Sequence, residues 1–281
     1  MYQIGMSTTD TINEKRFQMY KEAGVKIVEL SISSNAYKTL DFELLKSWSV
    51  KYGVTVLSFH LPFMPFNEID ISHPAYCEYS VEYLSSLIEK ATSIGIYRFI
   101  IHPSGEPIDE DKRAERMACA KKSLYILQEF AGKRGATICV ENLPRTCLGR
   151  NSDDILELLT AHPDLKACFD TNHLLSEDPI KFIKKIGSKI VTTHISDYDF
   201  INERHWLPGE GKLDWQAILG ALKEIGYSGP WMYEINLGCP NTIIRDRDLT
   251  AEDFVRNANE VFENKPITVI STPKPNLGMW D

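Results

Sequence analysis

The feature that most constrains this chain is a repeat. Short runs rich in Val, Ile and Phe alternate with amphipathic, charge-bearing stretches, and the pair recurs eight times. The apolar runs cover 2–6, 25–31, 54–60, 97–102, 136–142, 165–170, 189–195 and 230–235, and they read as strands. Helical patterns separate them, clearest at 76–94, 111–133, 215–225 and 251–262, where apolar residues recur at three- and four-residue spacing. Gly24, Gly53, Gly95, Gly135, Gly187 and Gly226 fall just past the helices, where a left-handed residue is wanted before the next strand. Eight such units in 281 residues predict an α/β fold, a single-domain (β/α)8 TIM barrel, rather than a doubly wound sheet with fewer strands. The barrel is expected over 1–263. The tail, 264–281, has three prolines and the apolar run 267–270 without a helical pattern, and is expected to be a strap across the barrel or a subunit contact.

Composition narrows the partners. With 43% hydrophobic and 25% charged residues, the chain is neither disordered nor fibrous. Its 31 basic and 39 acidic residues give a net charge of −8 with no Lys/Arg-rich run. That balance disfavours nucleic acid or an anionic membrane surface as partner and points to a small molecule. No segment approaches the roughly 18 apolar residues of a membrane span. The opening MYQIGMSTTDTINEK is polar where a signal peptide needs an apolar stretch, so a cytoplasmic location is expected. Cys77, Cys119, Cys139, Cys147, Cys168 and Cys239 form no CxxC and read as reduced thiols. A homo-oligomer remains open.

In such a barrel, chemistry sits where the strands end at the C-terminal face. The ends here are His60, His102, Glu141, Asp170, His194 and Glu234 on strands three to eight. Alternation places Cys139, Cys168, Thr192 and Met232 one step below the last four, so small or apolar residues floor an ionisable ring. Three carboxylates crowded at one mouth repel one another unless protonated or bound to a cation, which makes a metal site the economical reading. Glu141, Asp170, His194 and Glu234 offer three carboxylates and one imidazole. That set suits one divalent ion, Mn²⁺ first, with Mg²⁺, Co²⁺ or Zn²⁺ as alternatives. His60, His102, His173 and His205 could bind further metals, hold substrate hydroxyls or orient the ligands.

The motifs FHLPF around His60, IIHPSG around His102, CVEN around Glu141, FDTNH at 169–173, THISD around His194, RHWLPGEGKLDW at 204–215 and YEIN around Glu234 resemble, in order, the xylose isomerase-like TIM barrels. The resemblance is closest to the sugar isomerases and epimerases typified by the tagatose and psicose 3-epimerases, and to the inositol-catabolic enzymes with the same ligand set. It implies a metal-dependent isomerase or epimerase acting on a keto sugar or related polyol in carbohydrate metabolism, by proton transfer through an enediolate. It further implies that Glu141 and Glu234 are both ligands and proton-transfer residues, and that His173 and His205 bind substrate oxygens. Glu29, ending strand two, either closes the same pocket or is a solvated carboxylate. Arg145 and Arg150 are candidates for a substrate phosphate or carboxylate, with solvated loop arginines as the alternative. LPGEG lacks the lysine and hydroxyl of a nucleotide loop and reads as a tight turn fixing His205, with Asp214 capping the helix after it.

Three rival functions remain. The three-zinc apurinic endonuclease of the same superfamily has ligands matching His60, His102, Glu141, Asp170, His173, His194, His205 and Glu234, with Glu203 where it has aspartate. The acidic or neutral mouth loops EPIDED and SDYDF argue against a DNA face. An inosose dehydratase-like lyase and a non-catalytic sugar-binding barrel are the others.

Overall fold

The computed structural model describes residues 1–9, 11–32, 36–63 and 69–280. Eight parallel strands form the wall: β1 (Ile4–Ser7), β2 (Ile27–Leu30), β3 (Thr55–His60), β4 (Arg98–Ile101), β5 (Thr137–Glu141), β6 (Lys166–Asp170), β7 (Ile190–His194) and β8 (Trp231–Tyr233). Each pairs with the next from β1 to β7, and β8 returns to β1. A parallel bridge between Ile195 and Tyr233 closes the ring, with Ile195 N donating to Met232 O at 2.8 Å. Around it lie α1 (Glu14–Glu22), α2 (Phe42–Tyr52), α3 (Cys77–Ser93), α4 (Arg113–Gly132), α5 (Ser152–Leu159), α6 (Pro179–Ile186), α7 (Trp215–Glu224) and α8 (Ala251–Phe262). The TIM barrel expected from the repeat is the fold that forms. The pattern at 111–133 starts as a 3-10 turn at Glu110–Lys112 before α4 takes over. All six predicted cap glycines have positive φ, from 59° to 97°.

Large apolar side chains such as Phe17, Phe59, Phe99, Phe169, Phe182 and Phe254 fill the space between sheet and helices and are fully buried. Inside the barrel, Ile100, Cys139 and Cys168 form a separate small cluster with Val191 against it. Burial pushes the Cys139 thiol up to about 12 and raises Cys168 as well, so this floor is neutral at physiological pH.

Two irregularities in register matter for what stands above the floor. Val28 pairs with Val56, but Glu29 pairs with Ser58; Ala167 pairs with Ile190, but Cys168 pairs with Thr192 and Asp170 with His194. Because side chains alternate with period two, a one-residue skip changes which face a partner presents. Regular pairing would have set Glu29 against Leu57 and Asp170 against Thr193.

The tail is a strap. β9 (Ile243–Arg245) pairs antiparallel with β10 (Ser271–Pro273), and beyond it the carbonyls of Gly278 and Met279 accept hydrogen bonds from Arg204 and Asn202 on the loop after β7. Trp280 lies 5.7 Å from the Arg145 guanidinium. Among the described residues, no helix is long and apolar enough to cross a membrane.

At the N-terminus of α8, the Asp253 carboxylate accepts hydrogen bonds from Thr250 N at 2.9 Å, from Arg247 at 2.6 and 2.8 Å and from Arg256 at 2.8 Å. The Arg247 hydrogen bonds hold its pKa below the usual carboxylate range. A depressed carboxylate stabilises the fold above its unfolded pKa of about 4 and loses that contribution as pH falls further. Asp253→Ala is expected to cost about 1–2 kcal/mol at neutral pH in urea unfolding, and less in acid. An equal cost at pH 7 and pH 3 would contradict this.

Candidate metal centre and the cavity around it

Glu141, Asp170 and His194 are the last residues of β5, β6 and β7. Glu234 is the first residue past β8, still tied to the ladder by its N–H to Ile195 O at 3.2 Å. Their inward side chains meet at His194 Nδ1, which lies 3.0 Å from Glu141 Oε1, 3.3 Å from Glu234 Oε2 and 3.7 Å from Asp170 Oδ2. One ligand atom from each of the four lies within 4.8 Å of the others.

The electrostatics are those of buried carboxylates only partly offset by the histidines beside them. Burial pushes Asp170 up to about 7, and its Oδ2 has no hydrogen-bond partner. Glu141 and Glu234 resist the same desolvation and stay below the carboxylate range because His194 stands beside both, with His102 also beside Glu141. His194 is raised despite its burial by the carboxylates of Glu234, Glu29 and Glu141. An orphaned buried carboxylate oxygen within reach of three further donors is what a divalent cation would satisfy.

A cavity of about 400 Å³ opens above this cluster. His60, His102, His173, His205, Arg145 and Glu234 line it, whereas Glu141, Asp170 and His194 lie beneath, fully buried. His60 and His102 point Nε2 at Glu141 Oε2, at 3.1 and 3.4 Å. Phe63 stacks on His102 with 3.8 Å between ring centres. His173 and His205 each donate Nδ1–H to a backbone carbonyl, Asn142 O at 2.9 Å and Glu234 O at 3.0 Å. Both therefore present Nε2 towards Glu203 Oε2, at 3.4 and 3.9 Å, and with Glu203 they form a second cluster within 4.8 Å.

One expectation needs correction. Glu29 neither lines the cavity nor meets solvent; it is fully buried, 2.7 Å from His194 Nε2. Arg145 reaches the cavity, but its guanidinium is held by Glu106, Glu203 and Asn202, so its charge is already matched. Arg150 pairs with Glu110.

Sequence reasoning passed over the groups that hold the ring in place. Asn142 exchanges two hydrogen bonds with the backbone of Asp170, at 2.8 and 2.9 Å, tying β5 to β6. The Asn172 side-chain oxygen accepts from Arg204 N and His205 N. Both asparagines were visible in CVEN and DTNH. Asp197 was visible too, as the last residue of THISD, but nothing there pointed to its partners. Its carboxylate accepts from Tyr198 N, Gly209 N, Leu213 N and Trp215 Nε1, and its backbone pairs with Trp206, so it clasps the LPGEG turn that carries His205.

Comparison with known proteins agrees with this architecture. The signature of the xylose isomerase-like TIM barrel family matches residues 17–254, and the chain belongs to that family. An uncharacterised protein of Methanocaldococcus jannaschii is 28% identical over 188 residues, 64% of each chain. The ketose 3-epimerase of Arthrobacter globiformis is 24% identical over 225 residues, 77% of this chain and 75% of its own. The fructoselysine 3-epimerase of Escherichia coli O157:H7 is 27% identical over 146 residues, 47% and 53% respectively. Among solved structures, a D-tagatose 3-epimerase-like protein superposes with a TM-score of 0.79 at 22% identity over 94% of this chain and 98% of its own, which establishes the shared fold.

A Cβ on Gly211 would lie 2.2 Å from Asp197 Oδ1 and 2.4 Å from Tyr198 O, both fixed by the clasp. Gly211→Ala is therefore expected to lower stability by about 1–3 kcal/mol in urea unfolding. Wild-type stability would mean that the Asp197 clasp tolerates displacement.

Proposed function

We propose that this protein is a divalent-metal-dependent epimerase or isomerase of an unphosphorylated keto sugar or related polyol, and that Glu141, Asp170, His194 and Glu234 hold the ion. The carrying observation is the meeting of those four side chains within 4.8 Å, with Asp170 Oδ2 left unpartnered, at the base of a cavity large enough for a sugar. A bound ion would supply the positive charge that offsets negative charge developing on the ketose oxygens. Mn²⁺ suits the donor set best.

The chain's own groups do the proton work. Glu234 lines the cavity and is the carboxylate that accepts the proton from carbon, leaving the C–H electrons in an enediolate. Glu141, across the ring, serves the opposite face. Return of a proton to the opposite face of the same carbon inverts it; return to the neighbouring carbon isomerises the sugar. His173 and His205, with Nδ1 anchored on carbonyls, offer Nε2 to sugar oxygens. Arg145 is the only Lys or Arg among the described residues lining the cavity, and its engagement by Glu106 and Glu203 supports a substrate without a phosphate.

The clusters His60–Glu141–His194 and His173–Glu203–His205 favour a second reading, a phosphodiesterase with several zinc ions. Metal analysis separates the two. The epimerase reading expects about one Mn²⁺-class ion per chain after reconstitution and no cleavage of an abasic duplex. Three zinc ions with duplex cleavage would establish the alternative.

Turnover of keto sugars in D₂O is expected to place deuterium on the carbon that reacts. Glu234→Gln should retain the fold and lose about 10²- to 10⁴-fold in kcat, since an amide cannot accept that proton. Active, metal-loaded enzyme whose product carries no solvent deuterium, or a Gln variant with undiminished turnover, would count against proton transfer through Glu234.

A further inference from the structure

The four histidines with a resolved ring-nitrogen hydrogen bond at the mouth are anchored in two different ways. His60, His173 and His205 each place Nδ1 on a backbone carbonyl, that of Leu61, Asn142 and Glu234 respectively. His194 alone is turned round. Its Nδ1 faces the carboxylates of Glu141, Asp170 and Glu234, and its Nε2 lies 2.7 Å from Glu29 Oε1. The other oxygen of Glu29 accepts from Ser58 Oγ, also at 2.7 Å. Glu29, Ser58 and His194 are all fully buried, and none of the three touches the solvent that would otherwise compete for these hydrogen bonds.

We propose that Glu29, braced by Ser58, is the positioning residue that holds the Nε2 proton of His194 and so dedicates Nδ1 to the metal; the inference rests on the reading of this cluster as a cation site. Glu29 Oε2 already accepts from Ser58 Oγ, and its Oε1 lies 2.7 Å from His194 Nε2, the separation of an N–H donor from a carboxylate oxygen. An imidazole protonated at Nε2 leaves its lone pair on Nδ1, aimed at the three other ligands. A carboxylate behind a ligating imidazole also makes it a stronger donor than a carbonyl would, and fixes the ring against rotation. The register skip between β2 and β3 gives this arrangement its geometry, because it alone sets Ser58 beside Glu29. Glu29 thus acts on the reaction through His194, without meeting substrate.

The test uses Glu29→Leu, Glu29→Gln and Ser58→Ala, with Mn²⁺ binding by calorimetry and the His194 ring nitrogens followed by ¹H–¹⁵N NMR in the metal-free and Zn²⁺-loaded protein. The wild type is expected to show a slowly exchanging Nε2 proton in both forms. Glu29→Leu should lose that proton to rapid exchange and bind Mn²⁺ about 10- to 100-fold more weakly. Glu29→Gln, which keeps an acceptor oxygen, should retain the proton and most of the affinity, and Ser58→Ala should fall between. A merely structural role predicts equal losses of stability in Leu and Gln variants with no change in which nitrogen bears the proton. The inference is overturned by a wild-type His194 protonated on Nδ1 alone, or by a folded Glu29→Leu that binds Mn²⁺ as the wild type does. Failure of the wild type itself to bind Mn²⁺ would instead sink the metal-site reading, and loss of the slowly exchanging Nε2 proton in metal-free Glu29→Leu, or its persistence, would still decide whether Glu29 holds it.

Discussion

Mutual repulsion among buried carboxylates governs this molecule. Glu29, Glu141 and Asp170 have no exposed surface, and Glu234 adds a fourth negative group a few ångströms away. Water cannot screen them, so the charges must be offset by protons, by histidines or by a cation. The chain supplies histidine generously: His60, His102, His173 and His194 all lie within 3.5 Å of a Glu141 oxygen. Even so, Asp170 keeps an oxygen with no partner, and burial holds its pKa near 7. A fold that concentrates charge in this way gives up stability at its mouth, which is the usual sign of a site selected for binding.

The barrel makes the concentration possible. Its floor of Ile100, Cys139 and Cys168 is neutral and buried, so the ionisable groups are gathered on one side of it, beneath the cavity. Two skipped registers turn Ser58 and His194 to the faces where Glu29 and Asp170 need them. The asparagines after Glu141 and within DTNH then lock neighbouring strand ends and the His205 loop to that same geometry.

The repeat made the barrel legible, and the identity of the strand-end residues made the ring legible, because period-two alternation and eightfold recurrence are both local properties of sequence. What lay beyond reach was non-local. Glu29 looked like any strand-end carboxylate until the register skip placed it behind His194. Arg145 looked like a free loop cation, yet Glu106 and Glu203, 39 and 58 positions away, had claimed it. Asp197 gave no hint of clasping a turn whose glycine stands 14 residues later. Side-chain partners chosen across loops carry no periodic signature, so the ring could be listed from the sequence while its bracing could not.

The strap carries a further implication. Its carbonyls brace Asn202 and Arg204 across 77 and 74 positions of chain, and Trp280 sits over Arg145, yet the barrel closes without any of these contacts. Loss of the strap's hold and unfolding of the barrel are therefore separate events with separate free energies. Segments held only by such peripheral hydrogen bonds belong to the low end of a fold's range of local opening free energies, so the strap's amides are expected to exchange with solvent sooner than those of the barrel wall.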